Sequence, residues 1–281
     1  MRDGDRRAAI ALTAAIVLAV LAMLGVRALA GAVPAPTSRG TAAMLDAAFT
    51  LLLFGVLATV AVLAMSHGGG LRERAGAPSG RLLGIGLAAG FGGFGAAYLL
   101  AMVAGTSVPG AGPASIGLVA LGTLVVLVQA AGEELYFRGW LLGSLERAWG
   151  AWPALGVSAI AFAALHLLGG ARAPLSLANL LLGGLLFGLL AQRTRGLLVP
   201  IAAHWAWNWA EGILFGLDPN PGSGSFGALW DHDLVGAAAW GGSSEGLNAS
   251  LAVTASLVAI LIPLAAWPQP ARAFSRSGLR G

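Results

Sequence analysis

Residues Ser115–Leu142 read SIGLVALGTLVVLVQAAGEELYFRGWLL, and this stretch decides the fold class. From Ser115 to Gly132 it carries no charge, close to the roughly 20 apolar residues a helix needs to cross a bilayer. Glu133, Glu134 and Arg138 then follow inside an otherwise apolar run. An ionisable residue at the centre of a spanning helix costs about 2.5–3.5 kcal/mol even on lenient insertion scales. Such residues turn to the bundle interior and are functional candidates.

Seven further apolar runs flank this one: Ala8–Ala30, Leu45–Met65, Leu82–Ala104, Pro153–Leu168, Leu175–Gln192, Leu197–Leu217 and Ala249–Trp267. Breakers separate them, among them Pro34 and Pro36, Gly68 to Gly70, Pro109-Gly110, Gly169-Gly170 and the Gly/Ser-rich Asp218–Asn248. Only helices satisfy their own backbone over such lengths in lipid, so the expected class is all-α and polytopic with eight transmembrane helices. The expected organisation is a three-span segment over 1–114, a set of polar-bearing helices over 115–217, a loop over 218–248, and a last span with a basic tail over 249–281.

Composition agrees. The 281 residues are 57% hydrophobic and 10% charged, with a mean hydropathy of +0.81. A soluble domain carries roughly 25% charged residues, so an ordinary soluble enzyme is excluded. The absence of cysteine excludes disulfides, thiol nucleophiles and Cys-ligated metal. Glycine, at 43 residues, is about twice its usual share of roughly 7% and suits close helix packing in lipid.

All 16 basic residues are Arg. With the N-terminus in the cytoplasm and alternating spans, only Arg27, Arg39 and Arg172 fall outside, and the other thirteen fall inside. The positive-inside rule predicts this bias, with both termini cytoplasmic. The loop over 218–248 falls outside and carries four acids and no Arg. The basic excess therefore reads as topology, with the lipid bilayer as partner and no nucleic acid. Ala28-Leu29-Ala30 resembles a signal-peptidase site, yet the apolar run before it exceeds the ~7–15 residues of a cleaved signal, so an uncleaved first span is expected.

Three spans carry polar residues. The fourth has Glu133, Glu134 and Arg138; the fifth has Phe162 and His166; the seventh has His204, Asn208 and Glu211. At 1.5 Å per residue, Glu133, His166, His204 and Asn208 all lie about 11–20 Å above the inner ends of their spans, so one shared site is allowed. Glu134 and Arg138 are i, i+4, the spacing of a self-neutralising pair, whereas Glu133 points about 100° away. His204, Asn208 and Glu211 share one helical face, and Phe162 can pack beneath His166.

A carboxylate in an apolar bundle is a competent general base, able to take a proton from water. A histidine beside it can hold that water. A second histidine with an Asn one turn on can face a carbonyl oxygen becoming an oxyanion. There is no Gly-x-Ser-x-Gly elbow and no His-Glu-x-x-His zinc helix. Glu133, His166 and His204 are the right kinds of ligand for Zn2+, so spacing leaves both a metal-free and a zinc site open. In either case one water or metal should bridge Glu133 to the two histidines.

Glu133-Glu134-x-x-x-Arg138, Phe162-x-x-x-His166 and His204-x-x-x-Asn208 resemble, in order, the three signature motifs of the CAAX prenyl protease and bacteriocin-processing (CPBP) intramembrane protease family. That family includes the eukaryotic Ras-converting CAAX prenyl endopeptidases and bacterial proteins implicated in bacteriocin self-immunity. The resemblance implies that Glu133 is the catalytic base and that His166 helps it activate water. It implies that His204 and Asn208 stabilise the oxyanion, or that the histidines share a metal. Glu134 and Arg138 carry over as supporting residues, and Glu211 has no assigned role. The implied partner is a membrane-associated peptide or protein. The Arg-only, Ala/Gly-rich composition points to a GC-rich bacterial genome, hence to a multi-pass protein of the bacterial cytoplasmic membrane. Two other classes stay open on the residues: a proton-coupled transporter, whose polar residues would line a path through both leaflets, and a non-catalytic immunity scaffold.

Overall fold

The computed structural model describes residues 2–67, 79–111, 115–221 and 226–267. Of the inside arginines, Arg72, Arg74, Arg272, Arg276 and Arg280 lie outside the described residues. Helices dominate: α1 (Asp3–Gly31), α2 (Arg39–His67), α3 (Gly80–Val103), α4 (Ile116–Glu134), α5 (Leu142–Trp149), α6 (Ala151–Gly169), α7 (Pro174–Thr194), α8 (Leu198–Trp209) and α9 (Leu251–Ala266). Between α4 and α5 the chain stays helical but widens to a π-helix over Leu135–Leu141, giving one continuous run from Ile116 to Trp149. A second π turn, Ala210–Leu214, prolongs α8.

Six helical runs among the described residues are long and apolar enough to cross a membrane, against the eight expected. The expected seventh and eighth spans are the shorter ones: α8 with its π turn, and α9. α8 is walled by protein along much of its length, packing on α3, α4 and α7. Its polar residues therefore meet protein rather than lipid. α1 and α2 are the least buried spans, and α7 is the most buried.

Glycine sets the closest approaches. On α3, Gly86, Gly90 and Gly93 face α8, and a Cβ on Gly90 would stand 2.2 Å from the Ala203 carbonyl oxygen. α3 and α8 can touch backbone to backbone only because those side chains are missing, the small-residue logic of membrane helix pairs. Gly184 of α7 meets Ala159 of α6 in the same way. These contacts hold the two histidine-bearing helices, α6 and α8, against their neighbours.

Helix ends follow local rules. Ser115 and Ser250 accept hydrogen bonds from the N–H groups of Leu118 and Val253, capping α4 and α9. Pro174 opens α7, and Gly170, at φ +116°, closes α6 in a conformation that costs glycine nothing. Arg193 donates to the carbonyls of Leu264 and Ala265, satisfying the last turn of α9.

The Gly/Ser-rich stretch after α8 departs from its reading as a plain loop. Within it, strand β2 (His232–Leu234) pairs antiparallel with β1 (Ser107–Pro109), Val108 opposite Asp233. Phe226, Ala228, Leu234 and Leu247 are buried. This ribbon ties the end of α3 to the chain that follows α8. The core is all-α, with a small two-stranded sheet at one end.

Candidate active site

The sequence Glu133-Glu134-Leu135 falls where α4 passes into its π turn. Such bulges recur at functional sites because they re-aim side chains within a helix that continues. Glu134 is fully buried and its Oε1 accepts two hydrogen bonds. One comes from Arg138 Nη1 at 2.9 Å, the i, i+4 partner expected. The other comes from His204 Nδ1 at 2.8 Å, across from α8. The direct carboxylate partner of His204 is thus Glu134, which also keeps the expected pairing with Arg138.

Arg138 is 1% exposed and also donates to the Gly184 carbonyl on α7. Its guanidinium carbon lies 4.4 Å from the centre of the Phe162 ring and 5.4 Å from that of Phe187. Aromatic faces carry partial negative charge and suit a desolvated cation. Phe187 in turn stacks on His204, with centroids 4.5 Å apart and planes 14° from parallel. Phe162 sits under His166 at 4.6 Å, as the Phe-x-x-x-His spacing predicts.

The two histidines are oriented alike. His166 Nδ1 lies 2.8 Å from the Phe162 carbonyl oxygen, which can only accept, so Nδ1 carries the proton there. His204 gives its Nδ1 proton to Glu134. Each ring therefore keeps Nε2 for a ligand.

One cavity of about 410 Å3 is lined by Glu133, His166, His204 and Asn208 together. Glu134 and Arg138 stand behind its wall. Glu133 Oε1 takes a long hydrogen bond, 3.4 Å, from Gln129 Nε2 one turn earlier. Its Oε2 is buried without a hydrogen-bond partner among the described residues. The Asn208 amide makes no hydrogen bond to any of them. A base, two oriented imidazoles and a free amide donor on one cavity are groups able to activate water and hold an oxyanion.

The metal question turns on convergence. Each histidine has the outer-shell acceptor that a metal-ligating imidazole uses. Yet no three His, Cys, Asp or Glu side chains among the described residues gather closely enough to hold a metal ion. Glu133, His166 and His204 share the cavity without closing into a ligand set for Zn2+.

Two contributors escaped the sequence reading. Phe187 lies on α7, which carries no motif, and nothing local marks it. Gln129 lies outside the motifs, and its only signal is its place one turn before Glu133 on the same face. Glu211, to which the motifs give no role, is buried on the same cavity.

Fold and site together define a polytopic helical membrane protein with one cavity lined by Glu133, His166, His204 and Asn208. Residues 115–210, about a third of the chain, match the family model described as Rce1-like, type II CAAX prenyl endopeptidase, which supports the CPBP/Rce1-like resemblance and indicates a protease. The match covers all three motifs and leaves α1 to α3 and α9 outside it. No curated protein and no solved structure shows significant similarity to the chain.

Proposed function

We propose that this protein is an intramembrane endopeptidase that hydrolyses peptide bonds of a membrane-associated peptide or protein through a water activated by Glu133 and His166. The observation that carries the reading is the nearly buried Glu133 carboxylate, with one oxygen lacking a partner among the described residues, on the cavity it shares with His166, His204 and Asn208.

The step balances simply. Water loses a proton to Glu133 while its oxygen attacks the scissile carbonyl carbon, with His166 Nε2 holding the water. The carbonyl oxygen becomes an oxyanion facing the Asn208 amide. His204 adds a second N–H only when doubly protonated, and Glu134 then serves as its counter-charge, as the buried aspartate does in a Ser-His-Asp triad. Collapse breaks the C–N bond, and the proton held by Glu133 passes to the leaving amine. The products are a carboxylic acid and an amine, which settle as carboxylate and ammonium in water, and the base is restored. A transport path through both leaflets fits less well, because behind His204 the wall closes on the buried Glu134–Arg138 pair.

Glu133→Gln keeps the size and removes the base. Cleavage of a model membrane peptide should fall by at least about 10²-fold. Asn208→Ala removes one oxyanion donor and should lower kcat by up to about 10²–10³-fold with KM little changed. Full activity in Glu133→Gln would end this assignment.

A further inference from the structure

The cavity does not end at Asn208. Glu211, three residues on, is 4% exposed and lines the same space. Its Oε1 accepts from Asn248 Nδ2 at 3.1 Å, and Asn248 also reaches the Asn220 side-chain oxygen at 3.5 Å. Glu245 joins this end of the lining. Its Oε1 takes the N–H groups of Arg172 and Ala173 at 2.8 and 2.7 Å, while Oε2 is buried with no partner among the described residues.

With Glu133, the lining holds three carboxylates and, among the described residues, no Arg or Lys. Arg138 is already committed to Glu134. A buried carboxylate is costly until a cation or several donors meet it, and Glu211 has only one amide among the described residues. A free carboxylate terminus finds no counter-charge here, whereas an ammonium or guanidinium finds two acceptors beyond the catalytic one.

We propose that Glu211 determines specificity by binding a cationic group of the substrate, an ammonium or guanidinium, and so sets the scissile bond against Asn208 and Glu133. This deepens the peptidase reading and rests on it. Glu211 stands about 4.5 Å further along the helix axis than Asn208, which is one or two residues of extended peptide. The cationic group therefore lies within about two residues of the cleaved bond, as a Lys or Arg side chain or as a free α-amine.

The test measures binding and cleavage separately, in discs of uncharged lipid. Binding is measured on Glu133→Gln protein with fluorescent, N-acetylated apolar peptides that carry one Lys at successive positions. The matching norleucine peptides and a Lys-free peptide with an unblocked α-amine complete the set. One Lys position, or the free amine, should bind at least about tenfold more tightly than its neutral counterpart. Adding Glu211→Gln should erase the difference, and Glu211→Asp should keep part of it. Whichever of the two peptide types shows the preference identifies the source of the cation. Equal binding of charged and neutral counterparts in both the Lys and the free-amine comparisons, no binding of any peptide, or a preference that survives Glu211→Gln overturns the proposal. Wild-type protein is then given the same peptides. A charge preference in binding with no cleavage of any peptide sinks the peptidase reading and leaves the cation site standing, whereas charge-blind binding with cleavage does the reverse.

Discussion

At the scale of single residues, Glu134 Oε1 is the busiest atom of the site, because it serves a guanidinium and an imidazole at once. Removing the Arg138 donor and neutralising the acceptor itself have different consequences. Arg138→Ala leaves a buried carboxylate with one partner, and breaking a buried pair this way costs about 3–5 kcal/mol. The yield of folded, monodisperse protein in detergent should drop sharply. Glu134→Gln keeps the volume and an acceptor oxygen for Arg138, whose charge the Gly184 carbonyl and the Phe162 and Phe187 rings also meet, so the protein should fold while activity falls about 10- to 100-fold through a poorly oriented His204. A Glu134→Gln protein with wild-type turnover would show that His204 needs no such holder. The Glu134–Arg138 pair was legible because i, i+4 spacing is local. The His204 contact was not, since it joins helices seventy positions apart and depends on which way α4 turns as it widens at Leu135.

At the scale of elements, the approach of α3 to α8 decides where His204 and Asn208 stand. Gly90→Ala puts a methyl group against a backbone carbonyl that has nowhere to retreat, whereas the neighbouring Gly92 has nothing within 4 Å. The first substitution should lower stability by about 1–3 kcal/mol, as overpacking does, and lower activity with it. Gly92→Ala should do neither, and thermal unfolding of the pair in the same detergent reads the contrast. Helix existence was plain from apolar run length, and the glycine excess announced tight packing, though not which helices it joins. The β1–β2 ribbon left no trace, because three-residue strands have no periodicity and β2 lies in a Gly/Ser-rich stretch. The two π turns were equally invisible, since nothing in the residues Leu135–Leu141 or Ala210–Leu214 separates them from an α-helix.

At the scale of the whole molecule, helix ends alternate between two faces. The start of α1 meets Ala148 near the end of α5, while Arg27 near the far end of α1 donates to the Leu168 carbonyl at the end of α6. We propose from the arginine asymmetry that the first face is the cytoplasmic one. A reporter fused after Arg195 should read cytoplasmic and one after Pro221 external, and the reverse would invert the orientation. The other consequence lies in the cavity's far wall, where Met23 and Val26 of α1 and Phe49, Leu53 and Phe54 of α2 complete the lining. These belong to the two spans with the least protein around them. A substrate arriving on that side is counted per lipid molecule rather than per litre. Diluting enzyme and substrate with inert detergent at fixed bulk concentration should therefore slow turnover in proportion, the surface-dilution behaviour of an interfacial catalyst. An unchanged rate would mean that the substrate enters from water.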